Sequence, residues 1–257
     1  MYQLPAAPRT NGEVLDSAFK LARAGFLRLL PYAILTSILG AAPSVYLLKS
    51  YADVLADPAA AIDFIFSWRS WLLGLAMIAF GMFVYGASIV RVESIAQGAD
   101  FGLGGSLAAT LPRVPALVGA MFGYVLAVLV GSFLFVVPGI YLAGALFLFV
   151  PAIVLDRKGA IESLGHSYQL VLGNWWRLAV IGSLALIILY LIYVLVGVVL
   201  GLFVGFRGAE LSFIVMVNLV SSLVGGLVMA PVFAALCVEM YREVKMRKQG
   251  GGLAARG

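Results

Sequence analysis

Residues 136–177, from VVPGIY at 136–141 to NWWR at 174–177, contain the most informative pattern of the chain. It opens on a break at Pro138 and Gly139 between two long apolar runs, the second of which ends at Asp156. A short amphipathic segment, residues 159–172, follows and leads into a further apolar run. This order predicts a helical hairpin, then a helix on the membrane surface, and then a return into the membrane.

The composition of the whole chain also predicts a membrane protein, whose solvent is lipid. Of its 257 residues, 63% are hydrophobic and only 11% are charged, whereas charged residues make up about a quarter of a soluble protein. The formal net charge of +5 is carried by short segments between the apolar runs. Membrane topology and anionic headgroups account for such charges, so no nucleic-acid partner is expected.

Six apolar runs are long enough, or nearly so, to cross a hydrocarbon core of about 30 Å as helices. Amphipathic segments at residues 11–28, 159–172 and, more weakly, 106–111 predict helices on the membrane surface. The expected fold is therefore an all-α polytopic membrane protein with two or three cytoplasmic interfacial helices. The six predicted spans are residues 29–48, 71–90, 115–137, 139–155, 178–206 and 211–238.

Residues 1–248 form one predicted membrane domain, and the glycine-rich residues 249–257 are expected to be a disordered tail. Only Pro138 and Gly139 separate the third span from the fourth. This break predicts either a tight hairpin between two full spans or a broken, re-entrant pair.

The distribution of basic residues predicts the orientation. Of the 17 Lys and Arg residues, 14 fall on one side of the six predicted spans and 3 on the other. Because cytoplasmic loops carry the excess of positive charge, both termini are expected in the cytoplasm.

Two parts of the chain match at a constant offset of 149 residues. The match predicts a repeat in which a cytoplasmic surface helix introduces each hairpin of two spans, with a weaker third copy in the middle. The matching residues are Glu13, Leu15, Phe19, Leu21, Phe26 and Arg28 with Glu162, Leu164, Tyr168, Leu170, Trp175 and Arg177.

The same motifs also carry a resemblance to a known family. They are PGIY at 138–141, Pro151, Glu162, Ser167 with Tyr168, NWWR at 174–177 and GEVLDSAF at 12–19. With them the chain resembles the membrane domain fused to some glycerophosphoryl diester phosphodiesterases, and stand-alone bacterial proteins of the YciC kind. The resemblance implies six spans and a bacterial inner membrane. These residues contain no counterpart of the soluble catalytic domain, so the resemblance implies no phosphodiesterase activity.

None of the charged residues falls inside the six spans as bounded above. Ion-coupled carriers usually keep an ionisable group in the membrane interior, so such a carrier is disfavoured. No catalytic motif, metal site or cofactor site is predicted, and the lone Cys237 excludes a disulfide framework within the chain. Several polar residues could still converge on the cytoplasmic side, namely Glu13, Arg91, Glu93, Asp156, Glu162 and His166.

Two further groups of residues are candidates for binding. Asn218, Ser221 and Ser222 form a polar cluster deep in the sixth span, where they could line a polar path or hydrogen-bond a neighbouring helix. Arg28 and Arg177 begin spans on the cytoplasmic side, and Trp175 and Trp176 adjoin Arg177. A basic residue beside aromatic rings suits anionic phospholipid headgroups, although simple anchoring at the interface would use the same residues.

Two classes of function remain open from the sequence. The first is a non-enzymatic membrane scaffold or accessory protein that associates with phospholipid, with a partner membrane protein or with further copies of itself. The second is a lipid or small-solute transporter or channel that does not depend on an intramembrane ionisable residue. A polar cavity reaching mid-membrane would favour transport, and a solid apolar bundle would favour the accessory protein.

Overall fold

The computed structural model describes residues 7–56, 66–99, 101–207 and 211–254; the side chains at 42–56, 200, 203–207, 211–219, 222, 224 and 249–254 lie outside this description. All regular structure in the described part is helical, so the all-α prediction is confirmed there. A 3₁₀ turn, Leu111–Arg113, joins the third helix to the fourth. The helices are α1 Asn11–Ala56, α2 Trp68–Ala96, α3 Leu103–Thr110, α4 Val114–Leu134, α5 Val136–Leu146, α6 Phe149–Val154, α7 Ala160–Val171, α8 Trp175–Arg207 and α9 Leu211–Ala254.

Five segments of the described chain are long and apolar enough to cross a membrane, which fits a multi-pass membrane protein. The sixth predicted span, residues 211–238, falls within α9, where many side chains lie outside the described residues. The count of six spans therefore stays a prediction. The five segments are Asn11–Ala41, Trp68–Ala96, Leu103–Leu134, Val136–Val154 and Trp175–Val199.

Helices α1, α2, α8 and α9 pack into a central bundle. The chain directions follow from the contacts: Ser37 of α1 lies against Leu223 of α9, whereas Arg9, just before α1, lies against Glu243 near the other end of α9. Helices α1 and α9 are therefore antiparallel. The bundle core is apolar and includes Leu29, Tyr32, Val84, Ile89, Ile181, Ala185 and Leu236.

The predicted surface helix at residues 11–28 is corrected by the structure. Residues 11–28 form the first turns of the single continuous helix α1, which leads directly into the predicted span. Of the apolar face that the sequence assigned to the membrane surface (Leu15, Ala18, Phe19 and Ala22), Ala18 and Ala22 are buried in the core of the protein and Leu15 packs against it. An amphipathic pattern shows that one face is covered, but it does not distinguish lipid from a neighbouring helix.

The break between the third and fourth predicted spans is a tight antiparallel hairpin of α4 and α5. Helix α4 ends at Leu134, three residues before the predicted end at residue 137, because Phe135 is extended, with φ −161° and ψ 147°. Pro138 lies in the first turn of α5, where its missing N–H removes no helical hydrogen bond. The Tyr124 hydroxyl donates to the Ala143 carbonyl at 3.3 Å, which fixes the antiparallel pairing.

Helix α7 lies beside this hairpin. Its Ser167 hydroxyl donates to the Ala145 carbonyl at 2.9 Å and accepts from the Leu148 N–H at 3.1 Å. The face toward the protein thus carries small hydroxyls, while Ile161 and Leu172 are exposed. A helix is present at the predicted place, and its role as an amphipathic helix on a membrane surface stays a prediction.

The predicted repeat is not reproduced in equal units. Helix α1 is continuous, whereas the matching residues of the second copy divide into α7 and α8. Gly173 turns the chain between them with a φ of +85°, a conformation that glycine adopts without strain. Helix α9 continues through Ala254, and the disorder predicted for residues 249–257 stays a prediction. Residues 255–257 lie outside the described part.

Candidate functional site

Most of the buried charge of the described residues lies at one end of the bundle, here called the charged end. It comprises the segment before α1, the end of α2, the loop after α6, the start of α8 and α9 beyond Val238. Its centre is a pair of glutamates on successive turns of α9, Glu239 and Glu243, whose side chains are fully buried.

Four arginines surround these two carboxylates. Glu243 contacts Arg247 at 2.7 Å, Arg9 at 3.4 Å and Arg177 at 3.5 Å. Glu239 contacts Arg9 at 2.8 Å and Arg242 at 3.5 Å, and Arg242 also reaches Glu93 at 2.7 Å. One ionic network therefore joins the chain before α1 to α2, α8 and α9.

The network is a fixed structural element. A buried ion pair adds little net stability when it is complete, but removing one partner strands a charge in a dry environment and costs several kcal/mol, roughly 3–5. Separating the helices at the charged end would strand Glu239 and Glu243 in this way. The charged end is accordingly held closed.

The four predicted headgroup residues fall into two kinds. Arg177 binds groups inside the protein: it pairs with Glu243 and donates a hydrogen bond to the Arg9 carbonyl. Trp175 stacks on Tyr141 with ring centroids 5.4 Å apart and donates its indole N–H to the Tyr141 carbonyl at 2.9 Å. By contrast, Trp176 is 77% exposed. Arg28 is also exposed, and it has no ionic partner among the described residues. Lipid contact by any of these residues stays a prediction.

The predicted intramembrane cluster lies mostly outside the described side chains. Asn218 and Ser222 lie outside the residues whose side chains are described, and Ser221 is partly buried. The backbone of α9 is continuously helical through all three positions.

A cavity of about 830 Å³ opens beside the ionic network, between α2, α3, α6 and α9. The charged residues that line it are Glu93, Arg113, Asp156, Arg157, Arg242 and Lys245. They comprise four cations and two carboxylates, so the described lining carries an excess of positive charge. The apolar lining residues include Val90, Phe101, Ala109, Pro112, Val154 and Leu155.

Asp156 organises one side of this cavity. Its carboxylate accepts from Lys245 at 2.7 and 2.8 Å and from the Tyr241 hydroxyl at 2.7 Å, and His166 lies 3.7 Å away. Burial acts to raise the pKa of Asp156, but the hydrogen bonds from Lys245 and Tyr241 outweigh it and hold the pKa below its usual value. Burial, reinforced by the Lys158 charge, lowers the pKa of His166.

Of the other polar residues expected to converge, Asp156 and His166 meet, and Glu93 joins the ionic network. Glu13 instead caps the start of α1 through Thr10, and Glu162 pairs with Lys158 at 2.6 Å. Among the described residues no group of three or more His, Cys, Asp and Glu side chains is placed to hold a metal ion.

Arg91 adjoins the predicted end of the second span at Val90. Helix α2 continues past that point to Ala96. Arg91 is buried in it, and its Nε and Nη1 have no hydrogen-bond partner among the described residues. That the spans contain no charged residue stays a prediction.

A second cavity, of about 380 Å³, lies within the bundle between α1, α2, α8 and α9. Its lining is mainly aliphatic and aromatic, with Leu29, Leu189, Met229 and Phe233 among its residues. It shares no lining residue with the cavity at the charged end. These two cavities are therefore separate from each other.

The centre of this site was not predicted from the sequence. Arg9, Arg113, Arg157 and Arg242 entered only the count of basic residues that predicts the orientation, and no role was predicted for Glu239 or Glu243. One signal was present: Glu239 and Glu243 are four residues apart on one helix face, directly after an apolar run and interleaved with Arg242 and Arg247.

The fold and the charged end define an all-helical protein whose described part has five segments able to cross a membrane. Residues 65–244 match the family described as a domain of unknown function, DUF7847, and the chain belongs to that family. No curated protein and no solved structure matched the chain. The resemblance to phosphodiesterase membrane domains and YciC-like proteins therefore stays a prediction.

Proposed function

We propose that this protein is a non-enzymatic accessory protein of the membrane, which associates with phospholipid and with partner membrane proteins through the hairpin of α4 and α5. The observation that carries the proposal is a continuous apolar stripe along the hairpin, facing away from the rest of the protein. On α4 this stripe consists of Phe122, Leu126, Leu129, Val130 and Phe133, and it continues through Phe135 to Val137.

The stripe is fully outward-facing. Phe133 is 94% exposed and Leu126 is 63% exposed, and no charged residue occurs between Val114 and Val154. Exposed apolar surface of this extent is favourable only against lipid or another apolar surface. It suits a membrane protein that presents a fixed face to its surroundings.

The rest of the structure supports an accessory role over transport. Alternating access needs one part of a bundle to rock against another. Here the ionic network joins four parts of the chain at the charged end, and the two cavities share no lining residue. A fixed bundle of this kind is better suited to binding than to moving a solute across the membrane.

We also infer a bacterial inner-membrane location with both termini in the cytoplasm. The excess of Lys and Arg on one side of the predicted spans supports it. The contact of Arg9 with Glu243 supports the shared side, since it joins the chain before α1 to the last part of α9. The family resemblance of the sequence supports the bacterial origin.

The test compares three forms of the full chain in native-lipid nanodiscs by native mass spectrometry. They are the wild type, the hairpin variant Leu126→Ser/Phe133→Ser, and Leu191→Ser as a matched control on the exposed face of α8. We expect the wild type and the control to retain a defined lipid class or a second protein at fixed stoichiometry, and the hairpin variant to lose it. Bulk lipid alone, identical in all three, would overturn the proposal.

A further inference from the structure

The cavity at the charged end contains two arginines that have no carboxylate partner among the described residues. Arg242 is paired with Glu93, and Lys245 is paired with Asp156. No carboxylate of the described residues lies within ion-pairing distance of Arg113 or Arg157. The two internal pairs cancel, so Arg113 and Arg157 account for the excess charge among the described lining residues.

Arg157 is also held in an unusual backbone conformation. Its φ is +57°, the only positive φ of a residue other than glycine in the described chain. The residue follows the end of α6, where helices commonly use glycine to reach this left-handed conformation. An arginine there is strained, and such strain tends to persist where the side chain has a task.

The shape of the cavity defines what it could hold. Its volume of about 830 Å³ is within the range of small-molecule sites. Cationic and apolar side chains both line it, with Phe101, Pro112 and Leu155 among the apolar ones. The ligand that fits combines an anionic group with carbon-rich groups.

We propose that this cavity binds a phosphate group, with Arg113 and Arg157 as its principal ligands. The planar guanidinium fork matches phosphate oxygens in a bidentate arrangement, which is why arginine is favoured for this anion. The phosphate belongs either to a phospholipid headgroup entering from the membrane or to a phosphorylated solute. The inference goes beyond the proposed function, because it concerns the charged end and not the hairpin.

The experiment measures phosphate binding to the purified full chain from both sources. One arm titrates inorganic phosphate and glycerol 3-phosphate against the protein in detergent and follows its thermal unfolding temperature. The other arm places the protein in phosphatidylcholine nanodiscs, with or without phosphatidic acid, and counts the retained lipid by native mass spectrometry. A solute ligand gives a saturable shift in the first arm, and a headgroup ligand gives retained phosphatidic acid in the second.

Arg113→Gln/Arg157→Gln is the variant that removes both proposed ligands. Each charge-assisted hydrogen bond contributes enough affinity that we expect binding to weaken at least about tenfold. Arg23→Gln is the matched control, since Arg23 is an exposed arginine of α1 that has no ionic partner among the described residues and does not line the cavity. Its phosphate binding should equal that of the wild type.

Arg157→Gly separates binding from folding. Glycine keeps the left-handed conformation without strain, so this variant should unfold at the same or a higher temperature while it binds phosphate more weakly. Absence of saturable binding to the wild type in both arms would overturn the inference. Binding that is unchanged in the double variant would overturn it as well. Neither result bears on the hairpin, whose variant is tested separately.

Discussion

The carboxylate of Glu243 accepts a hydrogen bond at 3.1 Å from the backbone N–H of Arg9, a residue 234 positions earlier in the chain. The Arg9 carbonyl in turn accepts from Arg177 and, at 2.9 Å, from Arg247. A buried glutamate of α9 thus fixes the segment before α1 through main chain and side chain together. This contact gives the charged end its definite structure, and the first prediction follows from it.

Glu243→Gln is expected to destabilise the protein strongly. The substitution leaves Arg9, Arg177 and Arg247 without their shared carboxylate, and we expect a loss of about 3–5 kcal/mol of unfolding free energy. The measurement is unfolding of the detergent-solubilised chain. Glu162→Gln is the control, because that exposed glutamate makes only a helical pair with Lys158, worth about 0.5 kcal/mol or less. Equal effects of the two substitutions would contradict the structural role of the network.

Gly139→Ala is expected to disrupt the hairpin. A Cβ built on Gly139 would lie 1.9 Å from the Ser132 hydroxyl oxygen and 2.8 Å from the Ser132 Cα, so the two helices must separate. We expect a loss of about 1–3 kcal/mol, measured by thermal unfolding. Gly119→Ala, whose Cβ would meet Ala160 at an ordinary 3.4 Å, should be tolerated. A tolerated Gly139→Ala would show that α4 and α5 are not held this closely.

Gly226→Ala should separate α1 from α9 in the middle of the bundle. The added Cβ would lie 2.0 Å from the Ser37 hydroxyl oxygen, and we expect a loss of about 1–3 kcal/mol. Ser37→Gly in the same chain should restore much of the stability, because it removes the clashing atoms. The neighbouring Gly225→Ala meets only the Tyr193 ring at 3.4 Å and serves as the control. Failure of the double variant to recover would contradict the packing of Ser37 on Gly226.

Stability is expected to fall as the pH drops below the usual histidine pKa of 6.5. Burial lowers the pKa of His166 in the folded protein, so the unfolded chain binds the proton first as the pH falls. The free energy of unfolding therefore decreases between the pKa of the unfolded chain and the lower pKa of the folded protein. His166 is the only histidine of the chain. His166→Gln should therefore flatten the dependence of unfolding temperature on pH between 7.5 and 5.5. An unchanged slope would assign the effect to another group.

Substitutions of the predicted headgroup residues should have different effects on stability, because Arg28 and Trp176 are exposed whereas Arg177 pairs with a buried glutamate. Arg28→Ala and Trp176→Ala change exposed side chains, so the unfolding free energy should stay within about 0.5 kcal/mol while retained anionic lipid decreases. Arg177→Ala removes a partner of the buried Glu243 and should cost about 1–3 kcal/mol. Unfolding temperatures and native mass spectrometry of the three variants check both statements. Unchanged lipid retention in the first two would make them simple anchors.

Much of the helical organisation could be predicted from residue order. The runs that became α2, α4 and α8 are uninterrupted apolar segments whose length and composition leave little choice of structure. The hairpin between α4 and α5 was one of two predicted alternatives. The break lies at Phe135 and not at Pro138 and Gly139, as the sequence predicted. Gly139 lies inside α5, where the absence of a Cβ lets this helix approach Ser132 closely.

The helical fold of the described residues and the prediction of membrane-crossing segments came from residue order, because hydrophobic content and run length act locally and require no knowledge of neighbours. The sequence could not show that residues 11–28 join α1, since an amphipathic face reads alike whether lipid or protein covers it. It also could not show that Arg9 contacts Glu243, or that Arg113 and Arg157 line one cavity. These contacts join residues far apart in the chain, so they depend on how the helices cross in the folded protein.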